Sequence, residues 1–596
     1  MGNSIKTHQL SRGLTSEKSL EIAFVAFAVG LGILHAWAGR HFMNSDGVSY
    51  VDLGEAYYRM DWASVVNGYW SPFYPWMIGL GMKILNPSPY WEFPVVHLVN
   101  LFIYLAALLC FRFFWSGLIQ YHESDSEKHR KPGVAAFPKS VWWALGYTLF
   151  MVSCLEFNAV ETVAPDLCLT AFIYLASGFL LRIWTRTVPM RMYFALGMFL
   201  AFGYLSKPAL MPLSAVFIIA SCPVRSDLRK AIRCAAVVVL GFAIVAGPYI
   251  TLLSKRQGHL TFSEAGKLAY AWDVNRASYQ WVGEPPELGT PLHPRQTLFQ
   301  QPAAYTFGDT ARTQGTYPGW YDSSYWVAGL TPHFNLHQQL SAFKRDTEVL
   351  FDLFFSKFYL ALLTGLLVLY LFGGNFPASI RALGGYWFLW MPPVAALFTF
   401  WCIWIEPRYL GPFVGLFWAG ALSGLRLPDT PQSQKLLTSV TAACVFVTSV
   451  ALLGSTASQI DKVGTAPPLD WHVASALHRA GVKQGERIGA MGRVLKCGWA
   501  RLARVQIVSE IPHEAEQEFR KANDQVKTDV LDSVFRTGVK VIVADEREEA
   551  GCRSGWQPLE KTGFSICFAD SGGAVKTANQ SEGASTTRGS DRIGAE

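Results

Sequence analysis

The chain has 596 residues, of which 51% are hydrophobic, 14% aromatic and only 16% charged. Soluble chains carry roughly a quarter charged residues, so the apolar content excludes disordered, coiled-coil and collagen-like proteins, and 10 Cys in this length exclude a small disulfide scaffold. A net charge of +7 with no basic stripe between aromatic residues excludes a nucleic-acid binder. A polytopic membrane protein remains.

Eleven apolar runs are predicted to cross the membrane. They lie at residues 20–39, 93–115, 141–157, 167–181, 192–205, 208–222, 234–253, 351–372, 384–404, 409–425 and 436–455. The first is predicted to be an uncleaved helix rather than a signal peptide, because its apolar core exceeds the usual 7–15 residues. A further apolar segment, 71–85, contains two early prolines and Lys83. It is shorter than the roughly 17 residues that a crossing helix needs, which predicts a juxtamembrane or re-entrant helix.

The distribution of Lys and Arg supports this count of spans. With 71–85 outside the bilayer, the short segments on the side of the N-terminus carry 17 Lys and Arg, and those on the opposite side carry 5. The positive-inside rule then places the N-terminal segment 1–19 in the cytoplasm and the C-terminus outside. The prediction is a multi-pass protein of the bacterial inner membrane, with its membrane domain over residues 20–455.

The first predicted extracytoplasmic loop, residues 40–92, has an acidic residue close to the membrane. Asp46 lies in the sequence NSDGVSYVDLGEAY, soon after the first span. Read alone, this segment fits a helix N-cap as well as a functional carboxylate, because Asp is favoured at N-caps. We expect Tyr50 and, from segment 71–85, Tyr74 to line the wall of a cavity above the membrane.

A second acidic cluster follows the third predicted span. Glu156, Glu161 and Asp166 lie in a stretch that has no Lys or Arg between residues 140 and 181. Carboxylates near hydrocarbon without local partners are costly and usually functional, although Asp166 could also cap the apolar helix directly after it. Asp166 and Glu161 are therefore candidate catalytic residues.

Two basic residues lie at breaks between apolar helices, on the predicted extracytoplasmic side, where Lys and Arg are less frequent. Lys207 lies in YLSKP and Arg408 in EPRYL. Snorkelling would explain Lys207, and pairing with Glu406 would explain Arg408. The functional interpretation is that both bind a lipid phosphate at the level of the headgroups. Such cations can take up the charge of a phosphate leaving group while a carboxylate orients or deprotonates an attacking hydroxyl.

Two larger segments are predicted to be extracytoplasmic. The loop 254–350 is rich in Pro, Gly, Tyr and Trp, and residues 456–570 are predicted to contain a small α/β domain, with a disordered tail at 571–596. Three cysteines belong to that domain, and one disulfide, Cys552–Cys567, competes with buried free thiols as the interpretation. No Cys and His spacing is typical of a zinc site.

Five short motifs, in chain order, resemble those of the GT-C superfamily of integral membrane glycosyltransferases. The similarity is closest to the bacterial branch related to aminoarabinose transferases and protein O-mannosyltransferases. The motifs are SDGVSY (45–50), SPFYPW (71–76), ETVAPDL (161–167), YLSKP (204–208) and PRYL (407–410). The resemblance covers roughly residues 15–425 and leaves out the C-terminal domain.

The resemblance implies a helical membrane protein of about 11 transmembrane helices with juxtamembrane helices, to which the small α/β domain is added. It implies transfer of a sugar, with inversion, from a polyprenyl-phosphate donor to an extracytoplasmic lipid, glycan or protein. Asp46 matches the catalytic acid of the first loop, and Asp166 and Glu161 match the second acidic site. Lys207 and Arg408 match positions that would hold the lipid phosphate. The first loop has no Asp-x-Asp motif, so no obligatory metal or other cofactor is predicted.

Two classes of protein other than an enzyme are alternative interpretations of the sequence. A transporter or flippase of lipid-linked glycans would also have many spans, but its ionisable residues usually lie near the midplane and its sequence often contains internal repeats. Here they lie at one face, and no repeat is found. A scaffold that works through its C-terminal domain is the third class. There the sequence RIGAMG is a poor match to the dinucleotide fingerprint.

Overall fold

The computed structural model describes residues 2–128, 135, 137–157, 159–222, 227–308, 314–373, 375–464, 468–546 and 556–569. The chain divides into two compact units. The first comprises Met1–Pro294 and Gly319–Pro467, and the second comprises Arg295–Pro318 and Pro468–Glu596. The predicted tail 571–596 and Cys552 of the predicted disulfide lie outside the described residues.

The first unit is helical. Its longer helices are Gly2–Ala38, Ser45–Tyr58, Phe73–Leu85, Pro89–Lys128, Lys139–Met151, Asp166–Thr185, Met190–Ser206, Leu210–Ser221, Leu228–Gln257, Leu336–Phe354, Leu360–Phe372, Phe376–Gly385, Trp387–Trp401, Pro407–Gly424 and Pro431–Gly464. Short helical segments are Trp62–Val65, Ala265–Ala269, Pro286–Leu288, Pro318–Tyr321 and Ser323–Trp326, with π-helical turns at Val152–Phe157 and Tyr270–Val274.

Six described helices are long and apolar enough to cross a membrane. They are Glu17–Ala38, Pro89–Ser124, Lys139–Phe157, Asp166–Thr185, Leu228–Gln257 and Pro431–Asp461. A pair bent by 118°, Leu360–Phe372 and Phe376–Gly385, would make a seventh if it is one broken span. Met190–Ser206, Leu210–Ser221 and Trp387–Trp401 are apolar but shorter. Each of the eleven apolar runs contains helix, but the run 351–372 is divided between the helices Leu336–Phe354 and Leu360–Phe372. The count of 11 crossings stays a prediction.

The segment 71–85 forms the helix Phe73–Leu85, whose 13 residues are too few to cross a bilayer. It packs against Ser45–Tyr58 through two glycines. A Cβ placed on Gly79 would lie 2.5 Å from the carbonyl oxygen of Gly54, and one on Gly54 would lie 2.9 Å from the carbonyl oxygen of Pro75. The two backbones therefore approach so closely that only glycine fits at the crossing.

The core of the first unit is built largely from aromatic and branched aliphatic side chains. Helices Pro89–Lys128 and Asp166–Thr185 pack along each other, and the rings of Phe114 and Tyr174 stack with centroids 5.7 Å apart. The polar atom of a buried ring can bind a backbone group, as Trp115 shows: its Nε1 donates to the carbonyl oxygen of Trp142 at 2.8 Å. This packing holds the helix ends that carry the polar residues described below.

The second unit is a seven-stranded sheet flanked by helices. Its strands are β1 (Gln296–Phe299), β2 (Ala304–Thr306), β3 (Arg487–Gly492), β4 (Gln506–Pro512), β5 (Val541–Asp545), β6 (Gln557–Pro558) and β7 (Phe564–Phe568). Their order is β1-β2-β4-β3-β5-β7-β6, with β3 parallel to β4 and β5 and the other pairs antiparallel. Its helices are Leu469–Arg479, Gly498–Ala503, His513–Lys521 and Asp524–Phe535. The predicted small C-terminal sheet is thus present.

Two strands of this sheet come from the loop between the membrane helices. β2 pairs with β4, and Arg295 just before β1 forms a buried ion pair with Glu510 of β4 at 2.7 Å. The hydroxyl of Tyr317 donates to the same carboxylate at 2.6 Å. Burial raises the pKa of Glu510, and the arginine and the tyrosine hydroxyl oppose that shift. That residues 295–318 belong to this unit was not predicted from the sequence.

Candidate active site

Asp46 lies in the first turn of the helix Ser45–Tyr58 but is not its N-cap. Asn44 occupies that position, and its side-chain oxygen accepts a hydrogen bond from the backbone N–H of Val163 at 3.0 Å. The first loop is therefore tied to the segment that leads to Asp166, and the Asp46 carboxylate is left for other contacts. Carboxylates near helix N-termini are also favoured by the helix dipole.

Asp166 begins the helix Asp166–Thr185 and is almost completely buried, with 4% of its side chain exposed. Its Oδ1 is 2.6 Å from Nζ of Lys207, which lies directly after the helix Met190–Ser206. Its Oδ2 is 3.7 Å from Nη1 of Arg408. One buried carboxylate thus holds both cations in place, in a setting where charges without partners would be expensive.

Arg408 connects the two acidic residues that the sequence places far apart. Its Nη2 is 3.2 Å from Oδ2 of Asp46, and its Nε is 2.8 Å from Oε1 of Glu406. Arg408 lies at the start of the helix Pro407–Gly424. Four of the residues predicted from sequence, Asp46, Asp166, Lys207 and Arg408, therefore form one cluster.

The phenol ring of Tyr409 lies next to both cations. Nζ of Lys207 lies 3.3 Å from the ring centroid, and the guanidinium carbon of Arg408 lies 5.3 Å from it. Cations over an aromatic face are attracted by its quadrupole, and the attraction is stronger where water is excluded. No role was predicted for Tyr409 from the sequence, although its position next to Arg408 was the available signal.

Asp46 differs from Asp166 in its exposure and in its partners. Its side chain is 22% exposed, and its Oδ1 accepts a hydrogen bond at 3.3 Å from Nε1 of Trp320, in the helix Pro318–Tyr321. The backbone oxygen of Trp320 in turn accepts hydrogen bonds from Nε1 of Trp70 at 2.8 Å and from the hydroxyl of Ser49 at 3.2 Å. Trp320 was not among the residues predicted from the sequence, because the sequence shows only that its loop is rich in aromatic residues.

The structure places Glu161 in a different group of polar residues. Its Oε2 is 3.3 Å from Nδ1 of His35, and its Oε1 accepts a hydrogen bond from the side chain of Gln459 at 2.8 Å. His35 also contacts the hydroxyl of Thr456 at 2.9 Å. These contacts join the helices Gly2–Ala38 and Pro431–Gly464, so the acidic segment 161–166 contributes to two separate polar groups.

Tyr50 and Tyr74 lie in the interior beside Asp46. Their ring centroids are 5.1 Å apart, and 5% of Tyr50 and none of Tyr74 is exposed. The hydroxyl of Tyr74 donates to Asn100 at 2.6 Å, and Asn100 donates to the carbonyl oxygens of Val160 and Thr162. The two rings therefore support the loops that carry the acidic residues.

The part of the chain that the structure describes contains no group of three or more His, Cys, Asp or Glu residues placed to hold a metal ion. In the cluster, the carboxylates of Asp46 and Asp166 are directed at Arg408 and Lys207. That no metal is required stays a prediction.

The cluster can bind an anion and accept a proton next to it. Lys207 and Arg408 together present donors for phosphate oxygens, Arg408 with a planar fork and Lys207 with a compact charge. Of the three carboxylates that contact Arg408, the side chain of Asp166 is 4% exposed, that of Asp46 22% and that of Glu406 38%. The two aspartates can therefore have different roles. The buried Asp166 can position the two cations, and the partly exposed Asp46 can take part in proton transfer.

No protein-family profile and no curated protein matches the chain by sequence. Among solved structures, the chain is similar to ArnT from Cupriavidus metallidurans bound to undecaprenyl phosphate. The TM-score is 0.50 at 11% identity, over 93% of this chain and 99% of ArnT. It is also similar to the archaeal oligosaccharyltransferase AglB from Archaeoglobus fulgidus in complex with an inhibitory peptide and a dolichol-phosphate. That TM-score is 0.50 at 13% identity, over 89% of this chain and 70% of AglB.

Both similar structures are GT-C superfamily membrane glycosyltransferases. At these identities the similarity concerns the fold, and it extends over nearly the whole chain. The apolar helices agree with a multi-pass membrane protein. The resemblance seen in the five sequence motifs is therefore confirmed for the architecture: the chain has the fold of the GT-C superfamily.

Proposed function

We propose that the protein is a glycosyltransferase that moves a sugar from a polyprenyl-phosphate donor to an extracytoplasmic acceptor. The observation that carries the proposal is the single cluster of Lys207, Arg408, Asp46 and Asp166. The fold of proteins solved with undecaprenyl phosphate and with a dolichol-phosphate supports it. The protein would act in the bacterial inner membrane, with the C-terminal unit outside and without a metal cofactor.

The proposed reaction is a single displacement with inversion. Asp46 accepts the proton of an acceptor hydroxyl, whose oxygen forms a bond to the anomeric carbon of the donor sugar. The bond from that carbon to the phosphate oxygen breaks on the opposite side, and the lipid phosphate leaves with the bonding electrons. Lys207 and Arg408 bind the phosphate as its negative charge grows, and Asp166 keeps both cations in position.

Both cations of the cluster contact carboxylates. Arg408 contacts Asp46, Asp166 and Glu406, and Lys207 contacts Asp166. A phosphate must therefore replace or share some of these contacts. Release of Asp46 from Arg408 by the phosphate would free the Asp46 carboxylate for the acceptor hydroxyl, so donor binding prepares the base.

The test uses the full-length protein in liposomes that contain polyprenyl-phosphate-linked hexoses and pentoses. Release of free polyprenyl phosphate and formation of a glycosylated acceptor are measured by mass spectrometry. Arg408→Lys keeps the charge but loses the fork, so we expect donor affinity to fall about tenfold or more. Arg112→Lys, at an ion pair with Glu21 away from the cluster, is the matched control.

Unchanged donor affinity in both Arg408→Lys and Lys207→Ala would remove the phosphate assignment. Movement of intact donor between leaflets without release of polyprenyl phosphate would instead identify a transporter.

A further inference from the structure

Trp320 lies at the centre of a cluster of aromatic rings next to Asp46. Its ring centroid is 5.6 Å from those of Tyr69 and Trp70, 5.7 Å from that of Tyr279 and 5.9 Å from that of Trp272. The rings come from the first loop and from the segments 254–294 and 319–350 of the large loop. Nothing in the proposed phosphate chemistry requires these rings.

The cluster is open on one side. Tyr279 is 43% exposed, and Tyr69 and Trp320 are half-buried, whereas Trp272 is only 6% exposed. An aromatic cluster that served only as core would bury its largest rings, as Trp281 of the same loop is buried. The exposed faces therefore belong to a surface that begins at Asp46, to which Trp320 donates its Nε1 hydrogen bond.

Three carboxylates influence the open side of the cluster. Burial, followed by the charges of Asp273, Asp46 and Glu406, raises the pKa of the Tyr279 hydroxyl to about 12. The arginines next to these carboxylates contact other groups of the protein. Arg345 contacts Asp346 and the carbonyl oxygens of Asp273 and Ile403, and Arg408 is held in the cluster described above.

We propose that Tyr69, Tyr279 and Trp320 form a stacking subsite for a sugar ring, and that the acceptor is a neutral carbohydrate-bearing molecule. A sugar ring has an apolar C–H face, which packs on aromatic rings, and hydroxyl groups at its edge, which donate to carboxylates such as Asp46 and Asp273. An anionic acceptor would meet these carboxylates unfavourably. The inference rests on the proposed function, because it names the acceptor class for the same site.

The test measures binding of the full-length protein, labelled and held in lipid nanodiscs, to an array of immobilised neutral oligosaccharides, anionic oligosaccharides and Ser/Thr-containing peptides. We expect retention on neutral oligosaccharides. Tyr279→Ala should weaken it at least tenfold, whereas Tyr279→Phe, which keeps the ring, should retain it. Phe334→Ala removes a 72% exposed ring of the same loop that takes part in none of the described ring contacts, and it serves as the control.

Three results would overturn the inference: no retained neutral saccharide, retention that Tyr279→Ala does not change, or retention on peptides only. A parallel titration with undecaprenyl phosphate, on wild type and Arg408→Lys, separates this inference from the proposed function. Saccharide binding that depends on Tyr279, together with no binding of undecaprenyl phosphate, would support the subsite and contradict the transferase. Normal binding of undecaprenyl phosphate without saccharide binding would contradict the subsite alone.

Discussion

At the scale of single residues, two carboxylates of the cluster have different environments. Asp166 is buried and contacts both cations, whereas Asp46 is partly exposed and shares its oxygens between Arg408 and Trp320. A buried carboxylate that contacts two cations can hold them in place. An open carboxylate can exchange a proton with a substrate. This difference is the reason for proposing Asp166 as a positioning residue and Asp46 as the base.

Asp46→Asn should lower turnover by about 100- to 10,000-fold, the usual contribution of a positioned base. Donor affinity should be unchanged or higher, because Arg408 loses a competing carboxylate. Asn44 is the N-cap, so the substitution leaves the cap intact and thermal stability should change little. Glu55→Gln, in the same helix and paired with exposed Arg59, is the control. Normal turnover in a folded Asp46→Asn protein would remove Asp46 from the mechanism.

Asp273 provides a prediction about pH. Burial raises the pKa of this carboxyl to about 6, helped by Asp346 and Glu406 and opposed by Arg345. The folded state then binds the proton more tightly than the unfolded state does. The stability that this group contributes is full below its ordinary pKa of about 4 and is lost as the pH rises through about 6.

Thermal denaturation in nanodiscs between pH 4.5 and 7.5 checks this sign. The difference in Tm between Asp273→Asn and wild type should shift in favour of the variant as the pH rises, because the neutral amide avoids the cost of a buried charge. A difference in Tm that is constant across this range would contradict the raised pKa. Asp61→Asn, also outside the candidate spans, is a control for a general effect of charge.

At the scale of elements, the helix that carries Asp46 crosses a second helix, and each helix has a glycine at the point of contact. Ser45–Tyr58 lies against Phe73–Leu85, and Gly54 and Gly79 allow the two backbones to touch. The helix Phe73–Leu85 also carries Tyr74, which packs on Tyr50 one turn after Asp46. The apolar pattern of 71–85 predicted the helix, but the pattern alone contains no information about which helix it contacts.

Gly79→Ala should destabilise the protein and reduce turnover. The added Cβ would lie 2.5 Å from the backbone oxygen of Gly54, so the helices must separate, at a cost of about 1–3 kcal/mol. Gly266→Ala is the control, since its Cβ would meet nothing within 4 Å and alanine favours helix. Thermal stability and turnover are measured together. Equal stability of the two variants would show that the crossing does not constrain Ser45–Tyr58.

At the scale of the whole molecule, the cluster supports the proposed topology. Asp46, Asp166, Lys207 and Arg408 touch, so the chain between any two of them must cross the membrane an even number of times. The eleven predicted spans satisfy this condition for each pair. Counting 71–85 as a further span would put Asp46 on the side opposite to the other three.

Labelling with a membrane-impermeant maleimide tests the orientation. A cysteine at Asp524, which is fully exposed in the C-terminal unit, should react in intact cells, because that unit is predicted to lie outside. A cysteine at Arg229, exposed at the start of the helix Leu228–Gln257, should react only after the membrane is opened. Equal labelling, or the reverse pattern, would contradict the topology.

The sequence by itself indicated the helical membrane class, most of the apolar helices, the small C-terminal sheet and the candidate residues Asp46, Asp166, Lys207 and Arg408. Apolar runs and strand patterns are local, and basic or acidic residues at helix ends are conspicuous because they are costly there. The family motifs added the correct fold. The number of crossings is the part of this architecture that stays a prediction.

Only the tertiary structure decided which distant residues meet. Trp320 reaches Asp46 across 274 positions of sequence, and β2 pairs with β4 across about 200. It separated Glu161 from Asp166, although five positions divide them, because their side chains contact different helices. Local patterns carry no signal for such contacts, since they depend on how the helices and loops pack around one another.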